Sequence, residues 1–159
     1  IGAINGAAVT GGFELALACD YLFASTHARF ADTHARVGIL PGWGLSQKLA
    51  RIIGINRARE MSLAGNFIDA HRAEAWGLVN RVCSPETLMD ETLASAAQVA
   101  DGDAKAVVAL KALMNDGAKQ NLGDALMLEG ERGNAFAKTV DYSQMGERLA
   151  ALRQRAAKQ

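Results

Sequence analysis

An α/β fold that gives way to a helical C-terminal region is what this sequence predicts, and three observations carry the prediction. Seven of the 16 glycines fall within the first 44 residues, where short apolar segments alternate with glycine turns. Helix ends in the first half are marked by Asn, Asp and Gly at cap positions. After Ser84 the composition shifts once, to alanine, leucine and charge at helical spacing. The expected division is a core over residues 1–83 and a helical region over 84–159.

Taken in order, Ile1-Gly2-Ala3-Ile4 is an apolar β-type run that leads into the turn dipeptide Asn5-Gly6. It opens as though a strand had been entered partway through, so the natural polypeptide is expected to continue upstream. Residues 12–19 read as a buried helix and 21–24 as a strand. Asn56 is the expected N-cap of a helix over 57–64, closed by Gly65. A short strand at 67–68 precedes Asp69, the expected cap of a helix over 70–76 closed by Gly77, and 78–82 reads as another strand. Ser84 as N-cap with Pro85 at the first helical position starts a helix carrying Leu88, Leu93, Ala96, Ala97 and Val99. Two or three more helices follow, broken near Asp101-Gly102-Asp103, Asp116-Gly117 and Asp141. The last is amphipathic, with Leu149 and Leu152 set among Arg148, Arg153, Arg155 and Lys158. Its apolar stripe packs either on its own domain or on another subunit.

Composition bounds the function. The chain has 159 residues, 50% hydrophobic but only 6% aromatic, and alanine supplies 31 of them, which excludes disorder and suits close-packed helices. Seventeen basic against 17 acidic residues give zero formal charge, which argues against nucleic acid or a polybasic membrane patch as partner. No apolar run approaches the roughly 18–20 residues of a membrane span. Cys19 and Cys83 are too few for a disulfide framework. The expectation is a soluble, cytoplasmic protein with reduced thiols.

Most mechanistic motifs are missing. Gly42-Trp43-Gly44-Leu45-Ser46-Gln47 begins like a dinucleotide-binding loop but has glutamine where the third glycine belongs. There is no G-K-[ST] and no G-x-S-x-G, and His27, His34 and His71 are too irregularly spread for a recognisable metal site. What remains is the segment from Asn5 to Asp20. Gly11 and Gly12 let the backbone turn tightly against a ligand, and the helix that follows presents unpaired N–H groups. That arrangement suits an oxyanion. Glu14, in the first turn of an otherwise apolar helix, is either a dipole-compensating surface carboxylate or a partly buried acid/base; spacing alone favours the structural reading.

The residues Asn-Gly-x-x-x-x-Gly-Gly-x-Glu-Leu-Ala-x-x-Cys-Asp at 5–20 are followed by Ala28-Arg29-Phe30 and by Gly38-Ile39-Leu40-Pro41-Gly42. Further on come Ser62-Leu63-Ala64-Gly65, Ile68-Asp69-Ala70 and a run from Ala73 to Val82. Together these closely resemble the enoyl-CoA hydratase/isomerase (crotonase) superfamily, in register over residues 1 to about 82. The resemblance implies a β-β-α spiral, here partial, with C-terminal helices used for a homotrimer or a hexamer of two trimers. It implies an acyl-CoA or enoyl-CoA substrate, no cofactor beyond that thioester, and an enolate held by two backbone N–H groups. Gly11 matches one of the two, whereas the other and much of the CoA surface lie upstream of Ile1 in the family pattern, so the 159 residues alone are expected to be inactive or feebly active.

Family hydratases use two glutamates. Glu14 matches the first, and the second position is occupied by His34. An imidazole can replace a carboxylate in acid/base work near neutrality, or His34 is a pocket residue that moves no proton. Asp32 is read as a surface cap in preference to a stand-in carboxylate. Trp43 is either a wall of the acyl pocket or core filler, and Gly12, Gly38, Pro41 and Gly42 are expected around the substrate, the last three as the turn that holds the wall. Enoyl-CoA hydration is the leading expectation. Double-bond isomerisation with a single glutamate and a noncatalytic assembly module are the alternatives.

Overall fold

The computed structural model describes residues 1–156. The chain parts into two compact units, Ile1–Asp101 and Gly102–Gln159. Two successive β-β-α turns build the first. Strand β1 (Gly2–Ile4) and strand β2 (Ala7–Val9) lead into helix α1 (Gly11–Ala16). Strands β3 (Leu22–Ser25) and β4 (Arg29–Ala31) lead through a 3-10 turn (Ala35–Val37) into helix α2 (Leu45–Ile53). Helix α3 (Ile55–Ala64), strand β5 (Ile68–Asp69), helix α4 (Ala70–Ala75), strand β6 (Arg81–Cys83) and helix α5 (Leu88–Ala100) complete the unit.

The first four strands alternate between two sheets. One sheet has the order β1-β3-β6, all parallel, with Gly2 opposite Leu22 and Phe23 opposite Arg81. The other has the order β2-β4-β5, with Ala7 opposite Arg29 in a parallel pair and Phe30 opposite Ile68 in an antiparallel one. Asn5-Gly6 makes the step between sheets: the Ser25 hydroxyl donates to the Asn5 carbonyl (3.1 Å), and the Arg29 N–H to that of Gly6 (3.2 Å). Phe13 of α1 meets Phe30 of β4 with ring centroids 5.6 Å apart, and Leu45, Leu49 and Met61 close the core around them. The expected β-β-α spiral is present, in two turns.

Several boundaries differ from expectation. Helix α1 stops at Ala16, because the Ala18 and Cys19 N–H groups reach back to i−3 carbonyls and tighten the last turn. Helix α3 starts at Ile55 behind Gly54 (φ 85°), which places Asn56 inside the first turn and not at the cap. Asp69 does cap α4, accepting from Arg72 N at 2.7 Å, and Gly65 closes α3 in the left-handed region (φ 65°). Ser84 holds a turn, accepting from Thr87 N at 3.3 Å, and α5 begins beyond it at Leu88. Leu78 and Val79 are buried but lie in the approach to β6. Strands β2 and β4 and the whole of α2 were not expected.

Helix α5 belongs to the first unit. Leu88 packs on Phe23 and Cys83, and the Tyr21 and Ser95 hydroxyls meet at 2.9 Å. The units therefore part at Asp101, whereas the composition shifts near 84. Burial pushes the Cys83 thiol up, with the Glu91 carboxylate adding to the effect.

The second unit contains helices α6 (Ala104–Gly117), α7 (Leu122–Ala137) and α8 (Met145–Ala156), with a 3-10 turn at Tyr142–Gln144. Side-chain caps mark the starts: Asp103 accepts from Ala106 N (3.0 Å) and Asn121 from Asp124 N (3.1 Å). Asp116 binds Lys119 and, across the hairpin, Arg132, each at 2.8 Å. Helices α6 and α7 enclose an apolar groove of about 700 Å³ lined by Val107, Leu110, Leu113 and Phe136. Val108, Met114, Leu126, Met127, Leu149 and Leu152 are exposed. Lys158 of the expected last helix lies outside the described residues. Among the described residues no helix is long and apolar enough to cross a membrane.

Candidate active site

The site is assembled where α1, the segment after β4 and the start of α2 meet. Helix α1 begins under strain. Thr10, a β-branched residue, sits at φ 53°, a conformation that such side chains rarely adopt. Three bonds hold it: its N–H donates to Ala31 O (3.1 Å), its carbonyl accepts from Glu14 N (2.9 Å), and its hydroxyl meets that of Thr33. Gly11 follows directly, at the helix terminus where N–H groups have no intrahelical acceptor. A Cβ on Gly11 would lie 3.6 Å from Trp43 Cζ3, so the indole flanks that backbone; a Cβ on Gly12 would meet open space.

Glu14 is buried, with 4% of its surface exposed, so the surface-carboxylate reading does not hold. Its Oε1 accepts from Trp43 N (2.7 Å) and Leu45 N (3.3 Å), which joins it to the first turn of α2. Gly44 makes that turn possible at φ 105°, and no side chain of its own caps the helix. With Oε1 so engaged, Oε2 is the oxygen directed at His34, 3.7 Å from Nε2. That separation is too long for a direct hydrogen bond, and it leaves both atoms within reach of one shared water or substrate group.

His34 is also buried. Its Nδ1 lies 2.6 Å from Asp32 Oδ1, and the same oxygen accepts the His34 backbone N–H at 3.2 Å. Asp32 is 2% exposed, so the expected surface cap is instead an interior carboxylate. The D-x-H spacing was the available signal, because an Asp that accepts from the N–H two residues on is a standard turn former. The Thr10–Thr33 contact and the α2 terminus carried no motif of their own.

Of the residues expected from sequence, the structure brings Glu14, His34, Trp43 and Gly11 together. Gly38 (φ 77°) ends the 3-10 turn after His34, and Pro41 and Gly42 lie in the loop that delivers Trp43; none of the three makes a hydrogen bond to Glu14 or His34 among the bonds described. The Trp43 side chain is 65% exposed, which removes the core-filler reading.

The enoyl-CoA hydratase/isomerase family matches residues 1–155. The chain belongs to that family. It is 51% identical over 136 residues to the probable enoyl-CoA hydratase 1, peroxisomal, of Arabidopsis thaliana, covering 86% of this chain and 51% of the plant protein. It is 39% identical over 144 residues to the short-chain-enoyl-CoA hydratase of Clostridioides difficile, covering 91% of this chain and 92% of the clostridial sequence. The enoyl-CoA hydratase of Bacillus anthracis superposes with a TM-score of 0.86 at 33% identity, over 96% of this chain and 58% of that one. A Thermobifida fusca protein described as a putative enoyl-CoA hydratase in complex with acetoacetyl-CoA superposes with a TM-score of 0.80 at 30% identity, over 85% and 53%. The chain thus spans about half the length of the plant relative and of these solved structures. It carries part of the crotonase fold, as the β-β-α turns and the sheet alternation require.

Proposed function

We propose that the protein of which these residues form part is an enoyl-CoA hydratase, adding water across the 2,3-double bond of an enoyl-CoA thioester. The observation that carries this reading is the buried facing pair Glu14 Oε2 and His34 Nε2, 3.7 Å apart. As the water oxygen bonds to C3, His34 Nε2 takes a proton from it. The π electrons of the double bond move toward the thioester oxygen, which the Gly11 N–H and a second donor hold as an enolate. Glu14 delivers a proton to C2, and a proton passed from His34 to Glu14 restores the pair, so H and OH are added in balance. Each oxyanion donor is worth about 3 kcal/mol by analogy with other such sites. Gly12, Gly38, Pro41, Gly42 and the Trp43 indole form the substrate side of this reading. No metal and no cofactor beyond coenzyme A enters it.

Loss of the conjugated thioester absorbance with crotonyl-CoA, measured on the full-length protein, tests the proposal; wild-type protein that leaves the absorbance unchanged would overturn it. Isomerisation is the second reading, favoured by the imidazole where family hydratases have a second glutamate. Product analysis in heavy water separates the two, since hydration installs a 3-hydroxyl and isomerisation does not. His34→Ala should cost a hydratase about 10²–10⁴-fold in kcat. The exposed apolar residues of α6, α7 and α8 support assembly as a trimer or hexamer. A cytoplasmic location remains our reading from the two free thiols, and imaging of a tagged full-length protein tests it against the peroxisomal placement in the plant relative's name.

A further inference from the structure

Among the described residues two carboxylates are buried, Glu14 and Asp32, and the hydration scheme uses only the first. We propose that Asp32 is a positioning residue for the acid/base pair: it fixes the His34 proton on Nδ1, so that Nε2, the nitrogen facing Glu14, is the atom that takes and returns a proton. The proposal rests on the role given to His34 under Proposed function.

Three features carry it. One oxygen, Asp32 Oδ1, engages both the backbone N–H and the ring of His34, at 3.2 and 2.6 Å, so main chain and imidazole are oriented from a single point. A carboxylate only accepts, so the neutral ring must donate from Nδ1 and keep its lone pair on Nε2. The nitrogen that keeps it, Nε2, lies 3.7 Å from Glu14 Oε2. Without Asp32 the ring loses the acceptor within hydrogen-bond distance of Nδ1, and the tautomer with its proton on Nε2 cannot accept a proton from water at the atom that faces Glu14. The site therefore keeps two carboxylates, one of them acting through an imidazole.

The experiment uses full-length protein labelled with ¹⁵N-histidine, and long-range ¹H–¹⁵N spectra read the His34 tautomer. Wild-type protein is expected to carry the Nδ1 proton. Asp32→Ala should lose that tautomer and lower kcat on crotonyl-CoA about 10–100-fold with KM little changed, the range seen when a group that orients a histidine is removed. Because Asp32 acts through His34, the same substitution in a His34→Ala background should cost no further activity. Asp32→Asn should restore both the tautomer and most of the turnover, since its amide oxygen is held as an acceptor by the His34 backbone N–H. A wild-type ring protonated on Nε2 overturns the proposal, and that measurement needs no variant to fold. So does an Asp32→Ala loss as large without His34 as with it. Wild-type protein that shows the expected tautomer but no hydration strikes at the functional reading, whereas hydration with the opposite tautomer strikes at this one alone.

Discussion

Glu14 performs two tasks that substitution can separate. Its Oε1 accepts from Trp43 N and Leu45 N, and its Oε2 faces His34. Glu14→Ala removes both acceptor positions and leaves the Leu45 N–H, in a fully buried residue, without a partner. Both N–H groups lose their acceptor, at about 1–3 kcal/mol each, which puts the loss for Ala at about 2–6 kcal/mol. Glu14→Gln keeps an amide oxygen at Oε1 and loses only the charge assistance, about 1 kcal/mol. Both substitutions should lower hydration by about 10²–10⁴-fold, because neither leaves a proton-transferring carboxyl at Oε2. Urea unfolding at fixed protein concentration, paired with crotonyl-CoA turnover for each variant, reads the two effects independently. Turnover retained by Glu14→Gln would refute the acid/base role. Equal destabilisation by Gln and Ala would refute the claim that geometry at Oε1 latches α2.

Two further outcomes follow from the packing. Gly65→Ala should destabilise the protein by about 1–2 kcal/mol in thermal or urea unfolding, since the residue sits at φ 65° and a Cβ there would come within 2.6 Å of Arg36 Cγ. An unchanged midpoint would mean that Arg36, which donates to Ala64 O, swings clear at no cost. Cys83, buried and with its thiol pushed up, should react with a thiol reagent far more slowly in native protein than in denatured protein, as read by peptide mapping. The sign for stability follows: above about pH 8.5 the unfolded chain releases this proton while the folded chain keeps it, so Cys83 lowers stability as pH rises. A native labelling rate equal to that of the denatured protein would contradict the burial.

Elements whose ends are written in side-chain chemistry were legible in the sequence. Asp69 was read as a cap from residue type alone, and so were the breaks at Asp103 and Asp141, because a short oxygen-bearing side chain satisfies the first N–H groups of a helix wherever it precedes one. Helix α2 was not legible, although Leu45, Leu49 and Ile53 repeat every four residues. Its terminus is capped by Glu14, 31 residues away in sequence, and Gly42 to Gly44 read as a turn and nothing more. Strands β2 and β4 are three residues each, too short for alternation to show. In the site, family resemblance singled out Glu14, His34 and Gly11, whereas for Asp32 the D-x-H spacing signals only the turn it makes with the His34 N–H, and its interior place depends on where β4 delivers it.

The alternation of strands between two sheets has a consequence for the chain on its own. Among the described residues β1 and β2 are each the first strand of their sheet and carry backbone N–H and C=O groups along an open edge. Such an edge is a template for another strand. A preceding turn of the same spiral would continue both sheets at once, whereas a second copy can satisfy them only by pairing edge to edge. A polypeptide limited to these 159 residues is therefore poised to self-associate through residues 2–9, and a charged or proline residue at Ala3 or Ala7 is the substitution most suited to block it.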